Sequence, residues 1–137
     1  MSDRRFVDPS DISPPRSAYR HGIRARGEVL WLAGQVPIDE EGKTVGAGDV
    51  AAQLTQVMHN IERILDAAGA GWPEVVRLVI LCVGKENVAP LREARTRLWA
   101  RLYPDGDYPT ATFIVVEGLA SEEFLVEVEA TAVVAPS

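Results

Sequence analysis

The sequence predicts an α+β domain in which two helices cover one face of a single sheet, in the order β-β-α-β-α-β-β. Three observations carry that prediction. Residues 108–116 and 124–134 are runs of β-branched and apolar side chains, separated by a break over 117–123 that holds Gly118 and charges. Val50, Leu54, Val57, Met58, Ile61, Ile64, Leu65 and Ala68 recur at three- and four-residue steps, which draws one apolar stripe down a long helix. Residues 75–83 are apolar on both alternating faces, the pattern of a strand covered on two sides.

Taken in order, residues 1–16 carry Pro9, Pro14, Pro15 and several charges, and read as an extended arm, leaving 17–137 as a single domain. Residues 18–24 and 29–33 are short strand candidates around Gly27-Glu28, a pair that suits a hairpin turn. A loop over 37–48 turns at Asp39-Glu40-Glu41-Gly42. Asp49 then offers an N-cap for the long helix, which should stop near Gly69. A second helix is expected over 88–103. In the last strand Phe124, Val126, Val128, Ala130 and Ala132 share one face, and Glu127 and Glu129 take the other. In the strand at 75–83, Val75, Val79, Leu81 and Val83 oppose Val76, Leu78, Ile80 and Cys82. Two helices cannot cover both faces of such a sheet, so a second copy of the chain is expected to supply the other cover.

At 137 residues, with 47% hydrophobic and 25% charged side chains, the chain is one domain large enough to bury a core. No apolar run approaches the ~20 residues that span a bilayer, and no apolar block near the N-terminus suits a signal peptide. A cytoplasmic protein without membrane contact is expected. Cys82, the single cysteine, should pack as a small hydrophobe. The net charge of −6 weighs against nucleic acid as a partner. Arg92, Arg95, Arg97 and Arg101 crowd one helix and read as a solvated face with its own counter-charges. His21 and His59 lack companion ligands at metal-binding spacing, so no metal site is expected.

Several segments carry a resemblance. Ser17-Ala18-Tyr19, Leu32-Ala33-Gly34-Gln35-Val36-Pro37, the helix bearing Gln53, Val57, Asn60, Ile61, Ile64, Leu65, Ala67, Ala68 and Gly69, and Val126-Glu127-Val128-Glu129-Ala130-Thr131-Ala132 stand in the order and spacing of the RidA (YjgF) family. From about Tyr19 to Val134 the chain resembles these small imine and enamine deaminases. The resemblance implies a chorismate-mutase-like fold, assembled as a homotrimer with a small-ligand cleft at each subunit interface. It further implies hydrolysis of 2-imino acids and their enamine tautomers to 2-oxo acids and ammonia, without metal or organic cofactor.

In that family a Pro-Ala-Arg-Ser/Thr segment supplies an arginine that binds the substrate carboxylate. Here Pro109-Thr110-Ala111-Thr112 puts an alanine in its place. A charged hydrogen bond is worth about 1.5–3 kcal/mol, so its loss should weaken binding roughly 10- to 100-fold or more. By the resemblance Glu127 is the catalytic candidate, positioning water, and Tyr19, Ala33, Gly34, Arg92, Thr110, Ala111 and Thr112 are the ligand-binding candidates. Arg92 or Arg20 could reach a carboxylate from another direction, and Thr110 and Thr112 each offer a hydroxyl. Two functions follow: a divergent deaminase for an imine or enamine other than the usual 2-imino acids, or a non-catalytic metabolite binder using the same cleft. A ribonuclease, also attached to the family, is disfavoured by the acidic balance and the lack of a histidine acid/base pair.

Overall fold

The computed structural model describes residues 3–136. Its elements are β1 (Asp3–Val7), β2 (Gly22–Arg26), β3 (Glu28–Trp31), α1 (Val50–Ala67), β4 (Val75–Val83), α2 (Val88–Leu102), β5 (Thr110–Val116) and β6 (Val126–Val134). The strands form two hydrogen-bonded sets. β1 and β2 make an antiparallel ribbon, and the main sheet runs β3-β6-β4-β5, antiparallel except for the β4–β5 pair. This is the expected α+β architecture with one strand more than the sequence suggests. Within residues 1–16, read as an arm, Asp3–Val7 is a paired strand, and Met1 and Ser2 lie outside the described residues.

The hairpin expected around Gly27-Glu28 does not form. β2 turns to β1 for its partner, while β3 runs on beside β6. Gly27 sits between them at φ +151°, where an added Cβ would lie 2.2 Å from the Val134 carbonyl oxygen. Only glycine lets the chain pass that point.

Asp49 caps α1 as its position predicts, accepting a hydrogen bond from the Ala52 amide at 3.1 Å. The stripe of α1 buries Leu54, Val57, Ile61 and Leu65 completely, against the face of the main sheet that carries Leu78, Ile80, Cys82, Val126, Val128 and Ala130. Each such side chain stabilises by about 1.5–3 kcal/mol. Two polar residues of α1 fix the loop before it. Buried Gln53 donates to Gly46 O at 3.1 Å and Glu123 O at 2.9 Å, and accepts from the Leu125 amide at 2.8 Å. Asn60 donates to Val36 O at 3.2 Å and Ile38 O at 3.0 Å.

One pleat is not as the sequence reads. A register shift between Val75 and Arg77 inserts a β-bulge, which turns fully buried Val75 to the helix side with Leu78. The face opposite the helices then presents Val79, Leu81, Val83, Ile114 and Val116, with Val29 and Trp31 at the β3 edge. Trp31 is 78% exposed, Val29 49% and Ile114 42%. Among the described residues no helix or further strand layer covers that face. No helix of the described residues is long and apolar enough to cross a membrane.

Candidate functional site

Between α2 and the outer strand β5 lies a cleft of about 600 Å³, lined by Arg16, Ser17, Tyr19, Arg92, Arg95, Ala111 and Phe113. Its far wall is set by the segment before β2. The Arg20 amide donates to Pro109 O at 3.0 Å, and Arg20 and Thr110 form a parallel bridge, which seats Tyr19 beside Ala111. The Tyr19 hydroxyl accepts from the Arg16 amide at 3.3 Å, and its ring meets His21 edge-on at 5.8 Å. Ala111 and Phe113 pair with Leu78 and Ile80, so both face the helices. With only a methyl group, Ala111 leaves the floor of the cleft open.

The buried positive charge of the cleft comes from α2. Leu91, Ala94, Arg95 and Trp99 are the buried residues of that helix, so Arg95 occupies a place in the core-facing stripe. It is 7% exposed. One terminal nitrogen donates to the Ser17 hydroxyl, while its Nε has no acceptor. Arg92, one turn earlier, is exposed at the rim. Both guanidinium groups lie near the Phe113 ring, at 5.4 Å and 5.8 Å from its centre. Burial lowers the pKa of Arg95 below its ordinary value, and the neighbouring charge of Arg92 lowers it further. No carboxylate is among the lining residues.

Glu127 lies elsewhere. It pairs with Leu81 and Ala111 pairs with Leu78; positions three apart on a regular strand face opposite ways. Glu127 therefore projects from the helix-free face, two strands from β5. There it covers Gly34. An added Cβ at Gly34 would fall 2.1 Å from Glu127 Oε2, although the backbone at Gly34 is not in the left-handed region. Gly34 is needed for space. The segment reaches this place through an irregularity: Leu32 N donates to Ala130 O at 3.1 Å and Gln35 N to Val128 O at 2.8 Å, which sets Ala33 and Gly34 against Glu129.

The sequence profile of the endoribonuclease L-PSP family matches residues 11–134. This chain belongs to that family, the RidA/YjgF family. A RutC family protein of Pyrococcus horikoshii is 30% identical over 129 residues, covering 94% of this chain and 97% of the relative. Among solved structures, the Rid family protein YyfB of Yersinia pestis superposes with a TM-score of 0.84 at 34% identity, covering 96% of this chain and 98% of that one. A putative endoribonuclease of Thermotoga maritima matches with a TM-score of 0.67 at 27% identity, over 95% and 97% of the two chains.

Within this RidA-family fold the residues singled out from sequence divide into two groups. Tyr19, Ala111 and Arg92 line the cleft. Gly34, with Ala33 beside it, adjoins Glu127. Thr110 and Thr112 belong to neither group as hydroxyl donors toward the cleft: they alternate with Ala111 and so face away, and Thr110 Oγ1 donates to Val76 O at 2.6 Å. Arg20 is also engaged, with Asp8 at 3.2 Å, Gly106 O at 3.2 Å and the Phe6 ring at 4.0 Å. It cannot serve as the substitute anchor without breaking those contacts. The expected solvated face of α2 holds for Arg97, paired with Glu93 at 3.1 Å, but not for Arg95. Arg95 was legible in principle, since the spacing 91, 94–95, 98–99, 102 puts it on the apolar stripe. Arg16 and Phe113 carry no comparable sequence signal, and Ser17 is marked only as part of the Ser17-Ala18-Tyr19 segment.

Proposed function

We propose that this chain is a cytoplasmic, homotrimeric deaminase that hydrolyses a small imine or enamine to a carbonyl compound and ammonia. The observation that supports it best is the split of the family's positions over two faces of one sheet. Tyr19 and Ala111 line a cleft with a cationic wall, while Glu127 stands on the uncovered apolar face beside Gly34. Such halves meet only when the uncovered face of one copy lies against the cleft edge of another. A subunit interface also accounts for the exposure of Trp31, Val29 and Ile114.

In this reading the cleft arginines hold the ligand and Tyr19 limits its pose. Glu127 of a neighbouring copy takes a proton from water as the oxygen adds to the C=N carbon. It returns that proton to the nitrogen to give a carbinolamine; the hydroxyl proton then passes through Glu127 to the amine as the C–N bond breaks, which leaves the carbonyl compound and ammonia. General-base assistance contributes about 10²–10⁴-fold, enough for a labile C=N bond. Neither cofactor nor nucleic acid enters this scheme.

The test is hydrolysis of enzymatically generated imines, followed by semicarbazide trapping. Glu127→Gln should lower kcat about 10²-fold or more with the oligomer intact. A second reading, a non-catalytic metabolite binder, is favoured by the absence of any carboxylate among the cleft's own lining residues. Wild-type protein that accelerates no imine over buffer, across a panel of aliphatic and aromatic imines, would leave that second reading standing.

A further inference from the structure

Arg95 is the one charged side chain among the buried residues of the described core, and its charge has no acid beside it. A guanidinium presents five N–H donors. Here the Ser17 hydroxyl takes one direction, Nε is orphaned, and the ring of Phe113 offers only a modest electrostatic contact. A buried charge left in this state is destabilising, and folded proteins rarely keep one without a partner. Arg92, three residues earlier on the same side of α2, adds a second positive charge where like charges repel. Arg16 is a third arginine among the lining residues. A cleft with three arginines and no carboxylate among its own lining residues is built for something negative, and the single Glu127 that the proposed assembly brings from a neighbouring copy would leave two of the three charges unmatched.

We propose that Arg95 and Arg92 form a seat for a compact oxyanion carrying two negative charges, borne by the ligand of this cleft. With that Glu127 in place, a ligand with one negative charge would still leave one of the three arginines unmatched. Two would match the adjacent guanidinium groups, whose flat forks suit the oxygens of a phosphate group or of a short dicarboxylate. Ala111 matters here for its size, because a longer side chain on β5 would fill the space in front of both arginines. The proposal rests on the reading of this cleft as the ligand site and adds the charge class of what enters it.

Titration calorimetry at low ionic strength, in a buffer free of multivalent anions, tests this with inorganic phosphate, malonate and acetate as probes. Phosphate or malonate should bind at least about tenfold more tightly than acetate, and Arg95→Met should weaken that binding at least about tenfold. Arg92→Met should weaken it in the same direction. Arg97→Met, an outward residue paired with Glu93, should leave it unchanged. Without anion, Arg95→Met should melt at or above the wild-type temperature, and phosphate should no longer raise it. Equal affinity for acetate and the dianions would overturn the double charge, and unchanged binding in Arg95→Met would overturn the seat. An Arg95→Met protein that loses its oligomer would also overturn it, since Arg95 would then be neutralised by a carboxylate of a neighbouring copy. Should Arg95→Met fail to fold, the wild-type ranking together with Arg92→Met decides. Because no turnover is read, the expected ranking without imine hydrolysis retires only the deaminase reading, and hydrolysis without the ranking retires only this seat.

Discussion

Substituting alanine for Gly34 moves one carboxylate and little else. The new Cβ would stand 2.1 Å from Glu127 Oε2 and 2.9 Å from its Cδ, so the Glu127 side chain must swing away. Gly34 does not occupy a left-handed conformation, so the backbone tolerates alanine without strain. Forcing Glu127 off its rotamer costs about 0.5–1.5 kcal/mol. The reduced freedom of the unfolded chain returns about 0.4–1 kcal/mol. The net change in stability should stay within about 1 kcal/mol, a Tm shift of a few degrees for a domain of this size. Turnover should behave differently. If Glu127 acts as the base, displacing it removes about 10²–10⁴-fold, or about 3–5.5 kcal/mol of barrier lowering. Thermal melting by circular dichroism and imine hydrolysis by semicarbazide trapping read the two quantities separately. The double variant Gly34→Ala/Glu127→Gln should lose no more than the worse single variant, because both remove one function. Gly34→Ala with kcat within about threefold of wild type would refute the assignment of Glu127 to that place.

Three further outcomes follow from the structure. Gln53→Ala strips partners from Gly46 O, Glu123 O and the Leu125 amide together, and should destabilise by about 2–5 kcal/mol in urea titration; a loss below 1 kcal/mol would mean that water replaces the amide. Trp31→Glu places a charge on the uncovered sheet face and should convert the proposed oligomer to monomer in light scattering, with the circular dichroism spectrum kept. An unchanged mass would remove that face from the interface. Stability should also fall under alkaline conditions. Burial raises the pKa of the Cys82 thiol above its ordinary 9.0, assisted by Glu86, and burial raises the Tyr103 phenol above its ordinary 10.0 against a smaller opposing effect of Arg4. Both groups hold their protons longer when folded, so their contribution is complete below pH 9 and declines as pH rises past 9 and 10. Tyr103→Phe, which deletes a hydroxyl with no hydrogen-bond partner, should flatten the upper part of that decline in urea midpoints measured from pH 7 to 10.5.

The fold was readable where one periodicity ran without interruption. Asp49 and the α1 stripe gave the long helix to within a residue or two at either end, and the alternation of Val126 to Ala132 against Glu127 and Glu129 gave the facing of β6. It was unreadable where partner choice depends on distant chain. Gly27 looks the same in sequence whether it turns a hairpin or lets an extended strand pass under Val134, and only the pairing of β2 with β1 separates the two. The bulge before Arg77 reversed Val75 for a similar reason, since period-two reasoning assumes an unbroken ladder. In the site, Tyr19, Ala111 and Gly34 could be found because local motifs name them. Arg95 was hidden by its company: three other arginines on one helix read as a charged exterior, although the helical spacing sets Arg95 among Leu91, Ala94 and Trp99. Thr110 failed for the opposite reason, as its hydroxyl answers to a carbonyl on the adjoining strand that sequence alone does not reveal.

The placement of Ala111 and Glu127 through the thickness of one sheet has a genetic consequence. In the proposed assembly, a chain damaged at Glu127 and another damaged at Arg95 carry their lesions on different surfaces. Produced together, they would build mixed rings in which some junctions draw both sound halves. Two inactive alleles would then rescue each other in part, which a pocket enclosed within a single chain could never allow.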